Sequence, residues 1–173
     1  MLKTAITFTY LKSTGIQSML RFHGIYNYQI YGAHLLYSSI YIIVAATVAT
    51  SICYAIGNEQ ATFNPVLAGL YLFDTGICST ILGIVIAQFT ADKKVAAFLA
   101  SMLIVFSMFI ALFLLNNNFI LVVLPQTFSL HRLMVLSHTT VHEWCNLLIP
   151  LFVAGCYYSI IIASQKNMFD RVV

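Results

Sequence analysis

Residues 65–94 read PVLAGLYLFDTGICSTILGIVIAQFTADKK. From Pro65 to Phe89 there is one formal charge, Asp74; three more then arrive within Asp92–Lys94. At 1.5 Å per residue this apolar run makes a helix of about 37 Å, longer than a hydrocarbon core of about 30 Å. Pro65 suits the first helical turn, where its missing N–H has no bond to lose. The quoted stretch therefore reads as a transmembrane helix closed by a charged turn.

Working outward, the pattern repeats. Apolar runs cover about residues 30–56, 64–89, 95–115 and 138–163, separated by Gly57-Asn58, by the turn TADKKV and by Asn116–Asn118. Residues 119–140, FILVVLPQTFSLHRLMVLSHTT, are broken by Pro125. Neither half reaches the ~20 residues a crossing helix needs, so this stretch reads as an interfacial or re-entrant connection between spans 3 and 4. Pro150 and Gly155 fall inside the last run and predict a kink.

Charge placement sets the topology. With four spans, Lys3, Lys12, Arg21, Lys93, Lys94, Lys166 and Arg171 share one side and Arg132 alone lies on the other. This is the asymmetry of the positive-inside rule, and three or five spans would destroy it. The expected fold is an all-α membrane protein: four transmembrane helices in a domain over 30–164, both termini inside and a cytoplasmic tail at 165–173. Residues 1–29 are basic, free of acid and patchily amphipathic through Leu2, Ile6, Phe8, Leu11, Ile16, Met19, Leu20 and Phe22. They read as an interfacial segment. The bacterial inner membrane is the expected location. The mitochondrial inner membrane is the alternative, because a presequence is also basic and acid-poor.

The composition agrees. The 173 residues are 61% hydrophobic and 8% charged, with a mean hydropathy of +0.92, whereas soluble domains carry about a quarter charged residues. The basic residues flank apolar runs and form no patch with interleaved aromatics, which excludes nucleic acid as the expected partner. Cys53, Cys78, Cys145 and Cys156 form no C-x-x-C pair, so neither a zinc ribbon nor a thiol–disulfide active site is indicated.

Three sets of residues are candidates for function. Asp74 lies about 15 Å into its span, near the midplane. An acid there costs at least ~2.5 kcal/mol unless it meets a partner or water, so it reads either as a proton or cation site or as a hydrogen-bonding contact between helices. In HTTVHEWCN, His138 and His142 share a helix face, which Cys145 continues. Imidazole and thiol suit copper or zinc, although the order of residues is not H-E-x-x-H and an interfacial role for both His is the simpler reading. Haem within one chain is disfavoured, because His34 sits near the inner end of span 1 and the other two near the outer end of span 4; two subunits would be needed. Size and span count are shared with cytochrome-b anchor subunits, and the likeness stops there. Finally, Gly69, Gly76 and Gly83 recur every seven residues, a small-residue stripe that admits a close helix neighbour.

No complete catalytic set is present, so no enzymatic activity of its own is expected, and the sequence requires no cofactor. The expected function is a small multi-pass subunit packed within a larger membrane assembly, with lipid and other integral membrane subunits, or further copies of itself, as partners. The alternatives are a metal- or haem-associated anchor subunit, a small proton or ion transport element, and a membrane immunity or exclusion protein.

Overall fold

The computed structural model describes residues 1–56, 65–113 and 141–169, and these are helical with no strand among them. The elements are α1 (Leu2–Ser13), α2 (Ile16–Phe22), α3 (Asn27–Ile56), α4 (Pro65–Phe89), α5 (Lys93–Phe113) and α6 (Val141–Phe169). Three of them, α3, α4 and α5, contain segments long and apolar enough to cross a membrane, and α6 contains a shorter apolar stretch, Leu148–Ala163. The chain is an integral membrane protein.

Local chemistry sets the breaks. The N-terminal segment is two helices, because Gly15 between them adopts φ +74°, a left-handed conformation that costs glycine nothing. At the start of α3 the Gln29 side chain accepts a bond from the Tyr26 N–H at 2.9 Å, half of a capping box. Asp92 caps α5 by accepting from the Lys94 N–H at 2.9 Å. Lys12 Nζ donates to the carbonyls of Gln88 at 3.0 Å and Thr90 at 3.4 Å. It thus places a cation at the C-terminal end of α4, where backbone acceptors lack helical partners.

Helix α4 is the centre of the molecule and touches α1, α3, α5 and α6. Within its span 56% of residues are buried inside the protein, against 6% for α3 and 22% for α5. The outer helices therefore present most of their apolar surface away from the chain.

Helix α1 has a structural role that its local pattern does not display. Helices α4 and α5 adjoin each other only sparingly; α1 packs extensively on both and lies as a wedge between them. Ala5 of α1 meets Ile86 of α4 and Ala96 and Ala100 of α5, with Met1 and Leu103 against the cluster. A second cluster joins Phe8 to Tyr31, Ile84, Ala87 and Ile161. The small side chains of Ala5, Ala96 and Ala100 let the helix backbones approach closely. A polar seam ties the same end together. Gln17 Nε2 donates to Asn27 Oδ1 at 2.9 Å and to the Tyr31 hydroxyl at 3.1 Å, Arg21 Nε donates to Asn27 Oδ1 at 3.0 Å, and Gln88 Nε2 donates to the Tyr31 hydroxyl.

Candidate functional site

Helical spacing puts Asp74 and Cys78 one turn apart on α4, and the fold turns that face toward α6. The Cys78 thiol lies 3.6 Å from Asp74 Oδ1 and 3.7 Å from the Pro150 carbonyl oxygen. Asp74 is 1% exposed, and Pro150 and Cys78 are fully buried. Ile81 and Ala154 pack around Cys78, with Leu35, Ile77, Tyr157 and Tyr158 at the margin. Pro150 contributes more than bulk. Lacking an N–H, it leaves the carbonyl four residues earlier without its helical donor, which adds backbone polarity to this part of α6. The neighbouring hydroxyls of Thr75 and Thr80 turn back on α4, donating to the carbonyls of Tyr71 at 2.8 Å and Gly76 at 3.0 Å. The result is a buried acid with a thiol beside it, and that thiol in turn meets a proline carbonyl of α6. Such an arrangement can hold a proton or bind one helix to the next.

The glycines of α4 receive two different elements. A Cβ on Gly69 would meet Thr50 Cγ2 at 3.2 Å and one on Gly76 would meet Ile42 Cγ2 at 2.5 Å, both from α3. A Cβ on Gly83 would meet the Met1 carbonyl oxygen at 2.7 Å and Thr4 Cβ at 2.9 Å, both from the N-terminal segment. The stripe is thus shared between α3 and the N-terminal segment, while Cys78 packs against α6.

Gly155 of α6 is the contrast. Among the described residues, a Cβ there would meet nothing within 4 Å. It lines a shallow open hollow with Phe152, Cys156, Ser159 and Ile160. Ser159 and Ala163, one and two turns on, are also exposed. Sequence reasoning took Gly155 only as part of a kink; the signal it passed over is the four-residue spacing Gly155, Ser159, Ala163.

Of the metal candidates, His138 lies outside the described residues. His142 and Cys145 belong to the first turns of α6, where the described structure is backbone only. Among the described residues no group of three or more His, Cys, Asp or Glu converges. His34, the remaining histidine of the haem argument, instead packs edge-on against Phe8 with ring centroids 4.9 Å apart, and its Nε2 lies 3.4 Å from Thr4 Oγ1.

No family model matches this chain, and neither the curated proteins nor the solved structures contain a match to it.

Proposed function

We propose that this protein is a small four-span membrane subunit, with both termini on the Lys- and Arg-rich side, that packs within a larger membrane assembly through the outer face of α6. The supporting observation is the open Gly155–Ser159–Ala163 face. The three stripe glycines of α4 are each covered by a neighbouring element, whereas none of the described residues lies over Gly155. Small residues at this spacing let a second transmembrane helix approach closely, and packing of that kind is what drives association inside lipid. Helix α6 is the fourth span in this reading, and the charge asymmetry supplies its topology.

The test is the mass of the complex recovered after mild detergent extraction. The wild-type chain is expected to co-purify with other membrane subunits or with copies of itself, and Gly155→Leu to release it as a monomer. A wild-type chain recovered solely as a stable monomer overturns the reading.

A second reading rests on Asp74, whose burial beside the Cys78 thiol suits a protonatable group in a proton or ion pathway. Proton or cation flux in vesicles containing the purified assembly is expected to fall with Asp74→Asn. Unchanged flux removes this reading and leaves the first intact.

A further inference from the structure

Helix α3 places one face on α4 and leaves the opposite face uncovered by the chain. Ile42 and Thr50 lie over glycines of α4, and Ala46 between them is buried. Val44, two residues from Ile42, stands about 200° away around the helix. Tyr37, Tyr41, Val44 and Val48 follow one another at steps of four, three and four residues and form one stripe on that far side. All four are exposed, at 53% to 58%. Ser51, three residues on, continues the stripe and is exposed as well.

Two phenols on this stripe lie deep in the membrane. The apolar segment of α3 runs from Asn27 to Ile52, and Tyr37 and Tyr41 fall about 15 and 21 Å along it, around its middle. Ile42, next to Tyr41, overlies Gly76, two residues from Asp74. Lipid offers hydrogen-bond acceptors only outside a core about 30 Å thick, so none reaches these hydroxyls. The two bond to each other at 2.6 Å, with their rings edge to face at 4.9 Å. That pairing is incomplete. A hydroxyl has one proton to donate and two lone pairs, so the pair keeps one O–H with no acceptor and phenol oxygens that can still accept. An O–H left without an acceptor in hydrocarbon is costly. Helix α3 carries no Asp, Glu, Lys or Arg that would draw water to this depth.

A second copy supplies what one copy lacks. Copies inserted the same way round are related by a two-fold axis along the membrane normal, so the stripe meets itself and the phenols of both copies come level. Each pair then gives its spare O–H to a phenol oxygen of the other, and the four hydroxyls close a ring in which every proton is donated. Val44 and Val48 extend the contact, since β-branched residues at alternating steps of three and four suit a two-stranded seam. The small Ser51 lets the backbones approach.

We propose that this protein self-associates in the bilayer through the outer stripe of α3, with Tyr37 and Tyr41 of two copies joined in a ring of four hydroxyls. The match is complete with residue types already on α3, which favours a second copy over a foreign helix. It uses a face other than the Gly155 face of α6 and does not rest on that face.

The test is made in lipid vesicles, because water entering a micelle competes for the phenols. Energy transfer between full-length copies tagged at the C-terminus is followed as lipid dilutes the protein. The wild type is expected to dimerise. Tyr37→Phe with Tyr41→Phe is expected to raise the dissociation constant about sevenfold, the loss of two interhelical hydrogen bonds of average strength. Gly155→Leu is expected to leave the constant unchanged. In a chain with Cys53→Ser, Cys78→Ala, Cys145→Ser and Cys156→Ser, Val44→Cys and Val48→Cys should give covalent dimers on oxidation with copper phenanthroline. Ile43→Cys, equally exposed but about 100° off the stripe, should not. Circular dichroism checks that each variant keeps its helix content. A wild type that stays monomeric at the highest protein-to-lipid ratio overturns the proposal. So does a dimer that is unaffected by the two Phe substitutions, is lost with Gly155→Leu or cross-links through Ile43→Cys instead. Cross-linking of Val44→Cys in native membranes to a chain of different mass assigns the stripe to another protein and overturns self-association.

Discussion

Ile42 of α3 lies directly over Gly76 of α4, so close that a Cβ on the glycine would stand 2.5 Å from Ile42 Cγ2 and 3.0 Å from Cγ1. Both are branch atoms next to the α3 backbone and have little room to swing aside. Gly76→Ala is therefore expected to destabilise the protein by about 1–3 kcal/mol through overpacking. This exceeds the roughly 1 kcal/mol by which alanine favours a helix over glycine. Thermal unfolding in detergent measures the loss, and Ile42→Ala in the same chain should recover part of it. Gly155→Ala, made in open space, is the control and should leave the midpoint unchanged or raised.

The Cys78 thiol of α4 lies within reach of two acceptors, Asp74 Oδ1 on its own helix and the Pro150 carbonyl of α6. Asp74→Ala removes a buried acceptor and leaves the groups around it unsatisfied, at a cost of about 1–3 kcal/mol. Asp74→Asn keeps an acceptor oxygen of the same shape and should cost less than half as much. Equal losses for the two substitutions, read from unfolding midpoints, would show that the negative charge itself holds the helices together.

Lys12 places its ammonium on the last carbonyls of α4. Removing that charge by Lys12→Met should cost about 0.3–1 kcal/mol, the range for a cation at an exposed helix C-terminus. Because α1 is wedged between α4 and α5, the substitution should also loosen α1. Faster amide exchange over residues 2–13, with little change in α3, is the expected signature in hydrogen–deuterium exchange.

Cys78 is fully buried between α4 and α6, while Cys156 is exposed on the outer face of α6. In a chain carrying Cys53→Ser and Cys145→Ser, N-ethylmaleimide in detergent should modify one thiol per chain, and Cys156→Ser should abolish the reaction. Modification of Cys78 in the folded protein would contradict the packing of α6 on α4. Protection of Cys156 in the native assembly, lifted by Gly155→Leu, would place a partner on that face.

The amino-acid sequence by itself determined the long apolar helices, because each charge placed in hydrocarbon costs kilocalories and so is kept to the turns. Helix α3 ends at Ile56, immediately before Gly57, and α4 starts at Pro65 and stops at Phe89, just before the Asp92–Lys94 turn. The glycine stripe of α4 and the isolation of Asp74 were also legible, since both depend only on spacing along one helix.

What covers each face was decided by tertiary structure alone. Nothing in the spacing of Gly69, Gly76 and Gly83 says that α3 takes the first two and the N-terminal segment the third. The residues of α1 have the same local pattern whether that helix lies on a surface or fills a cleft; the room left by Gly83, Ala96 and Ala100 on two other helices places it as a wedge. Cys78, one turn from Asp74, likewise acquired its contact with α6 from Pro150, 72 residues away. Periodicity is a property of one helix and can be read from its own residues. Burial is a property of a pair of helices, and it exists only once the chain has brought them together.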